Sequence, residues 1–511
     1  MKTLSPEIIE KTKRVAREWQ QRIQEVRGRE ERKFHEMMAG MLKNPRNKIF
    51  LIELLDQSFR SGDPARVADQ LEYIFAKYEN TDFFSDFEKM LIWLFRRVGC
   101  HIPNLSVPLF IRLLREEVSG VVIKGEEHPL FKHIEHRREE GTRVNINVIG
   151  EAVLGENEAQ KRLEKYVASL ERPQIDYISI KISTIFSQLN PLAHEWSVAQ
   201  LVERIGRVYD AAMANTFVDR HGQKRHKFVN LDMEEYRDLS LTVDAFMATL
   251  SQERFKHYHA GIVIQSYMPD AMSQLQTLVE WALKRVEEEG APIKVRLVKG
   301  ANQEMELAEA SLRGWPCVTY TEKVETDANY KRLMDYLLDP AISPCVHLGI
   351  ASHNLFEHAL ANTLAKERKV EAYLTAEMLE GMSEAAYRVL KEEGAEVILY
   401  APTATMATFT NAVAYLVRRF DENTAEGNFM RHSFGLEAGS AVWQKLEAGF
   451  EAACRAMGEI ALEPFRTQDR GTEEPKTVPD PQSYRFENES DTDFILEPNR
   501  RWAEAIRDKW Q

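Results

Sequence analysis

Apolar residues between positions 140 and 402 fall into eight short runs, separated by longer stretches with helical periodicity. The runs are VNINVI (144–149), DYISIKIS (176–183), KFVNLD (227–232), AGIVIQSY (260–267), IKVRLVKG (293–300), CVHLGIAS (345–352), VEAYLT (370–375) and AEVILYAP (395–402). Strand–helix alternation implies parallel pairing through right-handed crossovers. Eight repeats predict a closed (β/α)₈ barrel. An open doubly wound sheet is the alternative, but its usual mark is a glycine-rich first turn, and neither GxGxxG nor a Walker A motif occurs.

The flanks differ. Ile8, Ile9, Val15, Trp19, Ile23 and Val26 recur at helical spacing among charged residues, which predicts an arm lying on another part of the protein or a solvated helix. Residues 46–125 read as all-helical, a small helical domain before the barrel. Residues 467–494 are rich in Pro, Asp, Glu and Ser and read as a linker, followed by a helix-like end. The expected division is a helical arm (1–45), a helical domain (46–135), the barrel (136–465), and a linker leading toward a further domain (466–511).

Composition narrows the function. The 511 residues carry 67 Lys and Arg against 80 Asp and Glu, a net charge of −13, which argues against general nucleic-acid binding. Cys100, Cys317, Cys345 and Cys454 are far apart, so reduced, mostly buried thiols are expected rather than a disulfide framework. His133 with His136, and His257 with His259, have spacings a metal uses, but no third ligand is evident and no metal is expected. The N-terminus lacks the apolar core of a signal peptide, and the apolar stretch at 90–95 is far short of a membrane span, so a cytoplasmic protein is expected.

A barrel enzyme keeps its site at the C-terminal ends of its strands. The polar residues there are Glu151 after the first strand, Lys181, Asp232, Gln265, Arg296 with Lys299 and Gly300, then Ser352, His353 and Asn354. Glu377 and Leu379 are expected in the loop after the seventh strand, and Tyr400 on the eighth. The last helix ends with Arg418, Arg419 and Glu422. This set is rich in cations and suits an anionic substrate or a phosphate-bearing cofactor. Taken singly, Asp232 reads as a cap for a helix starting at Met233, His353 as a structural histidine, and the two arginines as a solvated helix end.

The motifs IGEAVLGENEA (149–159), YISIKIS (177–183), VNLDMEEY (229–236), VIQSYMPD (263–270), VRLVKGA (295–301), TEKVETDANY (321–330), ASHN (351–354), EMLEGM (377–382), LYAPTAT (399–405) and YLVRRFDEN (415–423) resemble, in order, the proline dehydrogenase domain of the bifunctional proline utilization A proteins. Gln303, where relatives carry an aromatic, and Ser352, where Thr is common, depart from the pattern. The resemblance implies oxidation of L-proline to Δ¹-pyrroline-5-carboxylate by hydride transfer to FAD, with electrons passed to a quinone. It implies reversible peripheral contact with the inner membrane face and leaves oligomerisation open. Arg296 is implied near flavin N5, with Gln265 at the ring edge. Lys299, Gly300, Ala301, Lys323, Ser352, His353, Asn354 and Glu422 are implied around the rest of the cofactor. Lys181, Arg418 and Arg419 are implied as the clamp on the proline carboxylate, Leu379 and Tyr400 as the wall of its ring, and Asp232 as the organiser of the third strand end. The tail resembles the entry to an aldehyde dehydrogenase domain, so a fragment, or a protein lacking that second half, is expected. The rival readings are a flavoenzyme barrel of the methylenetetrahydrofolate reductase type and a scaffold that kept the barrel without the flavin.

Overall fold

A computed structural model describes residues 4–28, 31, 44–78, 86–150, 153–219, 222–425, 427–433, 435–474 and 488–511. Glu151 lies outside the described residues, as do parts of the arm and the linker. Eight parallel strands carry the core: β1 (Arg143–Val148), β2 (Tyr177–Lys181), β3 (Phe228–Asp232), β4 (Gly261–Gln265), β5 (Ile293–Val298), β6 (Val346–Ala351), β7 (Leu374–Leu379) and β8 (Glu396–Ala404). Each pairs with its sequence neighbour, and β8 returns to pair with β1, Tyr400 facing Asn145, so the sheet closes. A short strand, Ile123–Lys124, extends the sheet beside the end of β8.

Seven of the eight predicted runs coincide with strands. The run at 370–375 does not. Lys369 closes the preceding helix in the left-handed conformation (φ 59°), residues Glu371–Tyr373 turn in a 3-10 helix, and β7 starts only at Leu374. Glu377 and Leu379, expected in a loop, are therefore strand residues.

The strands read apolar outward and polar inward. Residues two apart share a face, and the polar pairs Asn145/Asn147, Ser179/Lys181, Asn230/Asp232 and Lys294/Arg296 keep that spacing. The apolar partners between them, such as Ile146, Ile180, Leu231 and Val295, are buried against the surrounding helices. Inside, Asn145 Nδ2 donates to Ser179 Oγ at 3.0 Å and Asn230 Nδ2 to Asp232 Oδ1 at 3.0 Å. A polar interior survives burial because its groups are paired with one another.

The helix after β8 (Phe409–Thr424) packs with the N-terminal helices: Ala412, Val413 and Leu416 share a core with Phe50, Leu54 and Phe75. The arm helix (Pro6–Val26) instead lies against the helices that follow β6 (Leu355–Arg368) and β7 (Glu384–Glu392). Trp19 and Ala16 are buried there. Arg17 pairs with Glu447 at 3.2 Å, Lys13 with Glu451 at 2.6 Å, and Gln20 donates to the Leu436 carbonyl at 2.8 Å. The arm is thus a docked element and not a solvated helix.

The described parts of the tail also dock. Arg466 pairs with Asp493 at 3.3 Å with both side chains buried, and Trp315 Nε1 donates to the Asp491 carbonyl at 2.7 Å. Among the cysteines only Cys345 and Cys454 are buried; Cys100 and Cys317 are partly exposed. No described helix is long and apolar enough to cross a membrane, and no group of three metal-binding side chains occurs among the described residues.

Candidate active site

At the C-terminal ends of the strands, Lys181 and Asp232 stand side by side in register, as do Leu379 and Tyr400. Contacts then cross the barrel. Arg296 of β5 donates through Nη1 to Asp232 Oδ1 of β3 at 3.1 Å. Tyr400 of β8 donates to Asp232 Oδ2 at 2.8 Å. Strands β3, β5 and β8 are not neighbours, so these side chains meet in the barrel interior. Asp232 accepts from three groups there, Arg296, Tyr400 and Asn230, and the helix beyond it begins only at Tyr236 with Glu235 at its N-cap position. The capping reading of Asp232 is thereby replaced. Asn147 donates to the Tyr400 hydroxyl, and the Arg296 guanidinium lies 4.3 Å from the Tyr400 ring centre.

Lys181, Arg296, Lys299, Lys323 and Arg419 each have a carboxylate partner, which the sequence pattern does not announce. Lys181 Nζ pairs with Glu234 at 2.7 Å, and Glu234 also accepts from Ser183. Arg296 Nε pairs with Glu377 at 3.0 Å, and Glu377 pairs with Lys294 at 2.6 Å. Lys299 pairs with Asp327 at 2.5 Å and lies 3.5 Å from Glu357. Lys323 pairs with the other oxygen of Asp327. Arg419 pairs with Glu422 at 2.6 Å and lies over the Tyr415 ring. Glu234, just past the end of β3, and Lys294, inside the barrel, are the residues sequence reasoning missed; Glu377 was expected at the mouth, but in a loop and without these partners. Lys294 was legible, because it shares a strand face with Arg296.

Burial works against charge at Arg296, but Asp232 and Glu377 outweigh it and hold the guanidinium above its ordinary pKa. Burial likewise opposes the Lys181 charge, and Glu234 more than restores it. Burial, then the Asp232 carboxylate, raises the Tyr400 phenol well above its usual range, so it is a neutral donor. Burial, His358 and Arg419 push His353 down to about 3, so its imidazole is neutral. His353 Nε2 accepts from the Leu379 backbone N–H at 3.1 Å, which leaves the ring proton on Nδ1.

That Nδ1 is buried with no hydrogen-bond partner among the described residues, and so is Gln265 Oε1, whose amide nitrogen donates to the Glu234 carbonyl. Orphaned buried polar atoms at strand ends mark a place for a ligand's polar edge. Gly300 adds a close approach: its φ is 122°, and a Cβ there would lie 2.5 Å from the Tyr267 ring. Asn354 caps the Leu355–Arg368 helix by accepting from Phe356 N–H at 3.1 Å, and Ser352 Oγ accepts from Asn354 N–H at 2.9 Å, which presents a helix N-terminus beside His353. The His353 Nδ1–H and the helix N-terminus as donors, with Gln265 Oε1 as acceptor, suit a large polar cofactor with phosphates. Ala301, Lys323 and Arg418 are exposed, while Arg419 is half-buried; burial opposes its charge, and Tyr415, Glu422 and Tyr400 favour it.

A model of the proline dehydrogenase family matches residues 130–432, more than half of the chain. The chain belongs to the proline dehydrogenase family. Among curated relatives, the bifunctional protein PutA of Rhizobium meliloti is 30% identical over 210 residues, covering 40% of this chain and 16% of that protein. Proline dehydrogenase 1, mitochondrial, of Arabidopsis thaliana is 29% identical over 164 residues, 31% of this chain and 32% of that protein. Among solved structures, proline utilization A from Corynebacterium freiburgense is 36% identical with a TM-score of 0.65, covering 84% of this chain and 39% of that one. Proline utilization A from Bdellovibrio bacteriovorus, inactivated by N-propargylglycine, is 26% identical with a TM-score of 0.73, covering 98% of this chain and 49% of that one. This member of the family thus spans less than half the length of each of these relatives.

Proposed function

We propose that this chain is a proline dehydrogenase that converts L-proline to Δ¹-pyrroline-5-carboxylate at an FAD seated over the barrel mouth. The observation that carries this reading is the placement of Arg296. It is a buried cation fixed by two carboxylates at the strand ends, beside the orphaned Gln265 Oε1. FAD, when bound, supplies the acceptor for the hydride leaving C5 of proline. Arg296 puts positive charge where negative charge develops during that transfer. Gln265, Lys299, Gly300, Ala301, Lys323, Ser352, His353, Asn354 and Glu422 are the residues proposed to hold the cofactor.

Lys181 and Arg419, with Arg418 on the same helix, are proposed to bind the substrate carboxylate, each charge-assisted bond contributing about 1.5–3 kcal/mol. Lys181 is occupied by Glu234 in the structure, so the substrate must share or displace that partner. Leu379 and Tyr400 form the wall for the pyrrolidine ring, and Asp232 fixes Tyr400 and Arg296 against each other. A quinone is the proposed acceptor for the next step, reached by peripheral contact of a cytoplasmic protein with the membrane.

The test is the anaerobic absorbance spectrum of the flavin-loaded protein before and after L-proline. Bleaching with L-proline and not with D-proline is expected. A bound flavin indifferent to proline would redirect the substrate assignment toward another flavoenzyme barrel, and failure to take up flavin would leave the scaffold reading.

A further inference from the structure

Below the site, inside the barrel, lies an ion pair whose lysine has no part in the reaction just proposed. The Glu377 side chain on β7 is 0% exposed and that of Lys294 on β5 6% exposed; they meet at 2.6 Å. The other Glu377 oxygen faces Arg296 Nε at 3.0 Å. The room for this carboxylate is made by Gly349 on β6, where a Cβ would lie 2.4 Å from Glu377 Oε1 and 2.9 Å from Lys294 Cε. The buried charges then run Lys294, Glu377, Arg296, Asp232 from the depth of the barrel to its mouth, two positive and two negative in alternation.

Two carboxylates on one guanidinium would overcompensate it. Lys294 corrects that balance from below: burial lowers its tendency to carry a proton, and Glu377 opposes the loss. A buried pair costs desolvation and is weak evidence of a role in stability. Its position, with one end on the cation at the mouth, gives it another use.

We infer that Lys294 and Glu377 are positioning residues, a charge-balancing pair that orients Arg296 and sets how much of its positive charge reaches the bound flavin. This rests on the reading that a flavin sits at the barrel mouth. Neither residue touches substrate. In Lys294→Met the Glu377 carboxylate faces Arg296 alone, the mouth becomes more negative, and reduction of the flavin is disfavoured. Removing both charges restores the balance.

The experiment compares wild-type, Lys294→Met, Lys294→Arg and the double variant Lys294→Met/Glu377→Gln, each loaded with FAD, by dye-equilibration measurement of the flavin midpoint potential. Thermal unfolding of each flavin-free chain is run beside it. The potential of Lys294→Met falls, with the equilibrium constant for flavin reduction by proline reduced on the order of tenfold for one uncompensated buried charge. Lys294→Arg and the double variant return toward the wild-type potential. kcat falls in Lys294→Met while the proline KM changes little, because the carboxylate clamp is untouched. The flavin-free double variant unfolds at a higher temperature than Lys294→Met. A purely structural role predicts instead that only the unfolding temperatures move while every variant keeps the wild-type potential, and that outcome overturns the inference. So does a Lys294→Met protein at the wild-type potential, which leaves the flavin reading intact. A wild-type chain that takes up no flavin sinks both.

Discussion

The Tyr400 hydroxyl donates to Asp232 at 2.8 Å across the barrel mouth, from β8 to β3. One carboxylate thereby fixes both the ring proposed to face the substrate and the cation proposed to face the cofactor, because its other oxygen accepts from Arg296. A change at Tyr400 is therefore felt first by the substrate, and a change at Asp232 by both ligands.

Tyr400→Ser removes the ring and its hydroxyl while Arg296 keeps Asp232. The ratio of kcat/KM for hydroxyproline over proline is expected to rise, on the order of tenfold for the loss of one apolar wall. Flavin content should stay at the wild-type level. An unchanged ratio removes Tyr400 from the substrate wall.

Arg419→Met should raise the proline KM by about 10- to 100-fold, the loss of one charge-assisted contact of about 1.5–3 kcal/mol. FAD is expected to remain bound. Arg418, more exposed, should show the smaller of the two effects in the same steady-state assay.

Lys181 is held by Glu234 in the structure, and the proline carboxylate has to compete for it. Glu234→Gln should lower the proline KM a few-fold, with kcat little changed. A raised KM would show that Glu234 helps place Lys181 rather than competing for it.

Burial raises Glu306 to about 7; one oxygen accepts from the Tyr236 backbone N–H at 2.7 Å and the other is buried without a partner among the described residues. The unfolded chain releases this proton near pH 4.3, the folded chain near pH 7, so this group lowers stability as pH rises through that window. Glu306→Gln is expected to be more stable than wild type at pH 8, on the order of 1–3 kcal/mol. That advantage should vanish by pH 4, as read by thermal unfolding across pH. His347, lowered to about 4 by burial and Lys294, has the opposite sign: its burial costs stability as pH falls from about 6.5 to 4.

Much of this was legible in the sequence, and the limits have physical causes. Strand–helix alternation announces a barrel because the crossover connection forces it. Polar residues at strand ends announce a mouth because parallel strands present all their C-termini on one side. The seventh strand was misplaced because Val370 and Tyr373 have strand-like chemistry but serve to end a helix and make a turn. The carboxylates of Glu234 and Glu377 were missed as partners because ion pairs between distant segments leave no local pattern. The inward polar face was visible as Asn145/Asn147 and Lys294/Arg296, two residues apart, but what those groups pair with depends on closure of the sheet.

The docked arm has a consequence for how the protein is made. Its helix, Pro6–Val26, is buried against helices that begin at Leu355 and Glu384. At a synthesis rate of about 5–20 residues per second, its apolar stripe stays uncovered for roughly 20–70 s while those partners are still being added. This helix is made well before the helices it packs against, and during that interval Trp19 and Ile23 are open to whatever holds nascent chains apart.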